Sequence, residues 1–162
     1  MSYLKISFGI FIMLAATRFV PHPPNFTSLV ALSFYVPIFF GVKFIPIILL
    51  SFLITDLFIG MHSFTFFTWG SVLLISLLFK LFSKTFISRI CGAITGTFVF
   101  FLISNFGVWI LGKYTYTFEG FIACYVAALP FYGNTLISTL LCAILIEGIY
   151  KFVHFKRIVT IK

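Results

Sequence analysis

Residues 27–60 run for 34 positions with only two charged side chains, Lys43 and Asp56. As one helix this stretch would measure about 51 Å at about 1.5 Å per residue. A bilayer's hydrocarbon core is only about 30 Å thick, so the stretch must turn back within itself. Gly41-Val42-Lys43, bracketed by Pro37 and Pro46, is the place for that turn. Glycine tolerates the backbone angles a reversal needs, and proline lacks the donor that would carry a helix through.

The same pattern fills the chain. Of 162 residues, 62% are hydrophobic and 9% charged, against about 25% charged in ordinary soluble domains. A water-soluble fold of this size has too much surface per volume to hide so many apolar side chains. A disordered tail and a disulfide scaffold are excluded with it. The net charge of +8 is spread in ones and twos between apolar runs, which forms no basic face for nucleic acid. Cys91, Cys124 and Cys142 lack metal-ligand spacing, and they read as buried, inert thiols with no cofactor attached.

Six spans follow. The first covers residues 7–17, between Lys5 and Arg18. No A-x-A cleavage site follows it, so it reads as a membrane helix rather than a secretory signal. Pro21, Pro23 and Pro24 end it. Spans two and three cover 27–40 and 44–60, and the fourth covers 64–82, between His62 and Lys84. The fifth covers 90–111, between Arg89 and Lys113, and the sixth 131–150, after Pro130. Residues 119–129 are too few to cross and read as a short interfacial or re-entrant helix in the last outer loop. The expected fold is an all-α integral membrane protein, residues 1–162 forming one domain: a multi-pass bundle of six transmembrane helices in the bacterial inner (cytoplasmic) membrane.

Basic residues orient the bundle. With the N-terminus inside, the cytoplasmic ends hold Lys5, Lys43, Lys80, Lys84, Arg89, Lys151, Lys156, Arg157 and Lys162, while the outside holds Arg18 and Lys113. The C-terminus is then also inside. In this topology the scarce polar groups collect outside: His22 and Asn25 in the first loop, Asp56 and His62 at the end of span three, and Asn105 and Trp109 one helical turn apart on span five. Glu119, Tyr125 and Asn134 complete the set.

Each of these has a structural and a functional reading. Ionisable groups inside a span are paired or functional, so Asp56 either forms an ion pair with Arg18 or meets a ligand. Asn105 either bridges helices or contacts a solute. Trp69 and Trp109 either anchor the interface or, for Trp109, line a pocket. His22 and His62 are loop or cap residues, or metal ligands. Glu147 precedes Lys151 by one turn, the favourable order for a helix pair. Gly92-x-x-x-Gly96 permits close helix approach, within the chain or to a partner. No Ser-His-Asp set, H-E-x-x-H or phosphate loop is present, so no enzyme is expected.

The segments 18–27 (RFVPHPPNFT), 56–62 (DLFIGMH), 105–109 (NFGVW) and 124–135 (CYVAALPFYGNT) resemble an uncharacterised family of small bacterial membrane proteins described as candidate transport proteins. The resemblance spans roughly residues 18–147. That family is in turn similar to the substrate-binding S components of energy-coupling-factor vitamin transporters, six-helix proteins that bind their ligand near the outer face. Two departures stand out. Ser138-Thr139 replaces a glycine-aspartate pair, and the first helix offers Gly9, Ala15 and Ala16 rather than an A-x-x-x-A docking pattern.

The expected function is capture of a small, vitamin-like or planar solute from the outer side. Asp56, Asn105, Trp109 and Asn134 would frame the pocket, with His22, His62 and Tyr125 beside them and the proline-rich loop as its lid. The expected partners are the solute, the lipid bilayer and an energising transmembrane and ATPase module, without nucleic acid. The alternatives are a non-transporting membrane subunit or scaffold, and a metal- or haem-handling membrane protein built on His22 and His62.

Overall fold

The computed structural model describes residues 3–160, with side chains described through Val153. Lys156, Arg157 and Lys162 of the expected inner charge set therefore lie outside the described side chains. The chain folds into six helices: α1 (Tyr3–Phe19), α2 (Leu29–Phe40), α3 (Ile45–Ile59), α4 (Thr65–Phe82), α5 (Phe86–Val108) and α6 (Phe118–Thr160). A 3-10 turn (Val42–Phe44) leads into α3, and a π-type turn (Trp109–Lys113) closes α5.

Local chemistry sets these boundaries. Gly41 ends α2 at φ 94° and Gly60 ends α3 at φ 114°, angles a side chain would strain. The Gly60 N–H closes the last turn of α3 on the Asp56 carbonyl at 2.8 Å. Pro46 occupies the first turn of α3, where its missing donor costs nothing. Hydroxyl caps open α5 and α6: Thr85 Oγ1 accepts from Ser88 N at 3.1 Å, and Thr117 Oγ1 accepts from Gly120 N at 3.1 Å. Each satisfies a helix-end donor otherwise left without a partner.

Four segments are long and apolar enough to cross a membrane: Val42–Ile59, Thr65–Phe82, Phe86–Lys113 and Phe118–Val153. Of the six expected crossings, α1 and α2 are not among these four, and the 12 residues of α2 reach only about 18 Å at about 1.5 Å per residue. Its environment explains why so short a helix is stable. Every residue from Leu29 to Pro37 is buried, walled in by the other five helices. A helix apolar all round belongs inside a protein rather than against lipid.

A second correction concerns the last outer loop. Residues 119–129 and 131–150 are not a re-entrant piece followed by a span; both belong to the 43-residue α6, with Pro130 in its interior. Proline removes one helical hydrogen bond, but α5 runs antiparallel beside α6 on both sides of that point. Phe121 meets Trp109 at a centroid distance of 5.4 Å, Tyr125 Oη donates to the Leu102 carbonyl at 2.8 Å, and Glu147 meets Arg89 further along. Continuous support from a neighbour outweighs a single lost bond.

The bundle has two unlike ends. At one, Tyr3 Oη donates to the Lys43 carbonyl at 3.4 Å, Phe39 stacks on Tyr150 at 4.5 Å, and the Lys151 ammonium lies 4.7 Å over Phe86. This is the basic end. There Arg89 Nη2 donates to Glu147 Oε2 at 2.6 Å while Nε donates to Oε1, a two-pronged pair on a carboxylate only 2% exposed. The expected Glu147–Lys151 helix pair is thus replaced by a pair between α5 and α6.

Gly92 and Gly96 both serve packing within the chain. A Cβ on Gly92 would come within 2.6 Å of Phe82 Cβ and also strike the Phe34 ring, and one on Gly96 would sit 3.2 Å from Ile75. We expect Gly92→Ala to destabilise the bundle by about 1–3 kcal/mol, the usual cost of overpacking a core. Gly133→Ala, with open space around it, should be neutral or mildly stabilising. Melting temperatures of both variants in one detergent check this; equal melting would contradict the packing role of Gly92.

Candidate solute cavity at the polar end

Opposite the basic end, a cavity of about 510 Å³ opens between all six helices and the loop at residues 20–28. Two helical stripes build most of its wall. On α5 these are Phe100, Phe101, Ser104, Asn105 and Val108; on α6 they are Cys124, Ala127, Ala128, Phe131, Tyr132 and Thr135. Both follow the three- and four-residue spacing that places side chains on one helix face. The α6 stripe runs straight through Pro130.

The loop forms the lid. Thr17 Oγ1 and Ser28 Oγ share a hydrogen bond of 2.9 Å at its base, and Ser28 N donates to Thr17 Oγ1 at 3.1 Å. Within the loop, Asn25 adopts φ 63°, a left-handed conformation that asparagine tolerates better than most residues. The reversal turns two carbonyls toward α6, where Asn134 Nδ2 donates to Pro24 O at 3.0 Å and Thr135 Oγ1 donates to Asn25 O at 3.5 Å. Asn134 therefore acts as a clasp on the lid and not as a cavity wall.

Asp56 has a comparable supporting role. It is 1% exposed; Oδ1 pairs with Arg18 Nη2 at 2.7 Å, and Oδ2 accepts from Trp69 Nε1 at 2.9 Å. This ties α1, α3 and α4 together behind the cavity. Arg18 itself reaches the wall. Its Nη1 donates to Thr55 Oγ1 at 2.6 Å and to the Phe52 carbonyl at 3.4 Å, and its guanidinium lies 4.7 Å over the Phe52 ring. These four contacts fix one side chain in one geometry.

Of the other residues expected at the site, His22, His62 and Asn105 line the cavity. His22 Nδ1 lies 2.7 Å from the Pro23 carbonyl. His62 stacks on Phe64 at 3.9 Å, with Nδ1 3.2 Å from Thr65 Oγ1. Asn105 Nδ2 donates to the Phe101 carbonyl one turn back on α5 at 2.7 Å. Trp109 and Tyr125 stand outside the wall. The Trp109 indole donates to the Thr115 carbonyl at 3.0 Å and, with Tyr125 and Phe121, forms an aromatic cluster over the π-type turn. No group of three histidine, cysteine, aspartate or glutamate side chains placed to hold a metal occurs among the described residues.

Sequence reasoning missed the aromatic and small residues of the two stripes. Their three- and four-residue spacing is the signal, masked on α6 by Pro130, which in sequence alone marks a break.

The lid geometry gives a direct test. Asn134→Ala removes one hydrogen bond, a loss of about 1 kcal/mol. Protection of the Phe26, Thr27 and Ser28 amides from hydrogen–deuterium exchange should fall by about fivefold, with the helical amides unchanged. Unchanged protection in the loop would contradict the clasp.

A protein-family model described as a family of unknown function (DUF6580) matches residues 2–161. No curated protein and no solved structure matches the chain.

Proposed function

Because the chain belongs to the DUF6580 family, whose function is unknown, we propose its activity from the cavity: it is a substrate-binding membrane transport protein that takes up a small planar or vitamin-like solute from the extracytoplasmic face of the bacterial inner membrane. The observation that carries this reading is the cavity of about 510 Å³ at the polar end of an otherwise apolar bundle. That volume lies within the range of about 300–1,000 Å³ typical of small-molecule sites.

The wall has the division of labour such sites use. Phe52, Phe100, Phe101, Phe131 and Tyr132 offer flat apolar surfaces, while Arg18, Asn105, Ser104 and the two imidazoles offer directional polar contacts. The positive-inside rule supports the orientation, since Lys5, Lys43, Lys80, Lys84, Arg89 and Lys151 belong to the opposite end. The sequence resemblance to S components, taken as an expectation, would place ligand capture near the outer face. The chain carries no phosphate loop, so an energising transmembrane and ATPase module would supply the work, with the lid and bundle reorienting to release the solute.

Small-molecule mass spectrometry of the mildly purified protein tests this reading. We expect one compound enriched over a detergent blank, and its loss from Asn105→Ala and Phe101→Ala proteins that still insert in the membrane. Retention at the wild-type level by both variants would refute the proposed site.

A further inference from the structure

The charges around the cavity are unevenly distributed. Arg18 is the one permanently charged side chain in the wall, which includes no aspartate, glutamate or lysine among the described residues. The nearest established carboxylate, Asp56, lies outside the wall with one oxygen on Arg18 and the other on the Trp69 indole. A guanidinium presents five N–H donors. Nη1 serves Thr55 and the Phe52 carbonyl, and one Nη2 donor serves Asp56. The Nε donor and the second Nη2 donor have no acceptor among the described residues.

Three ligand charges can be compared on these terms. A cationic solute would meet the guanidinium at the wall with the offsetting Asp56 carboxylate behind it, and so gains no acceptor there. A neutral solute offers only ordinary hydrogen bonds. An anion accepts charge-assisted bonds from donors that Asp56 already holds rigid, so little side-chain entropy remains to be lost. The Phe52 ring beneath Arg18 and the Phe101 and Phe131 rings of the wall suit a flat apolar body.

We propose that the solute is a planar anion, an aromatic carboxylic acid, whose carboxylate is bound by Arg18 while its rings lie against the phenylalanines of the cavity. This rests on the cavity being the solute site.

Three probes of one shape separate the two ideas: 2-naphthoate, 2-naphthamide and 2-(aminomethyl)naphthalene. Binding to the wild-type protein is measured calorimetrically in phosphatidylcholine nanodiscs, with empty discs as the blank. The acid should bind at least tenfold more tightly than the amide, and the amine most weakly. The Arg18→Gln, Asp56→Asn double variant removes both charges together and should lose that preference while still binding the amide. Equal binding of acid and amide by the wild-type protein, or a preference for the amine, overturns the anion proposal and leaves the cavity reading standing. Binding of none of the three above the empty discs also overturns the anion proposal, and a retained compound in the mass spectrum then decides the cavity reading separately.

Discussion

A charge buried in an apolar bundle must have a partner, and this requirement organises the molecule. The chain has three acidic residues, and two of them, Asp56 and Glu147, are almost fully buried. Each is held by an arginine from another helix, Arg18 from α1 and Arg89 from α5. Leaving either charge alone in so dry a setting would cost about 3–5 kcal/mol, a large part of a typical domain's stability. The pairs work less as attraction than as registration: helices that slid past one another would strand a charge. One pair fixes each end of the bundle.

Between those ends, the short α2 makes the cavity possible. Because it is buried on every side from Leu29 to Pro37, it fills the centre of the bundle but leaves the space above its start unoccupied. Leu29 and Val30 form part of the cavity wall. The proline-rich loop that joins α1 to α2 then spans this opening, closed at its base by Thr17 and Ser28 and clasped from α6 by Asn134 and Thr135. Short helix, cavity and lid are consequences of one chain segment being too short to fill the bundle.

Much of this was legible in the sequence where a residue type has one dominant physical behaviour. The all-helical class and the break at Gly41 followed from apolar length and glycine angles, while the cost of unpaired charge left the Arg18–Asp56 pair as one of two readings of Asp56. Reasoning failed where context decides. Pro130 ends a helix that stands alone but not one packed along its length against α5, so the sequence pattern divides one long helix into two. Glu147 has a suitable cation one turn away in Lys151, yet an arginine 58 residues distant in sequence offers two bonds in place of one. Asn134 and Trp109 are polar groups at the correct end whose partners are backbone carbonyls of Pro24 and Thr115. Nothing local in the sequence names such acceptors.

The central claim is that the space between α5, α6 and the lid is a solute site rather than a packing defect. A crystal structure of the protein, purified with the small molecules its own membranes supply, tests that most directly. Density is expected for one compact, planar molecule between Arg18, Phe101 and Asn105, beneath a lid held by Asn134. A lipid acyl chain in that space, or side chains of the two stripes closed together across it, would contradict the account.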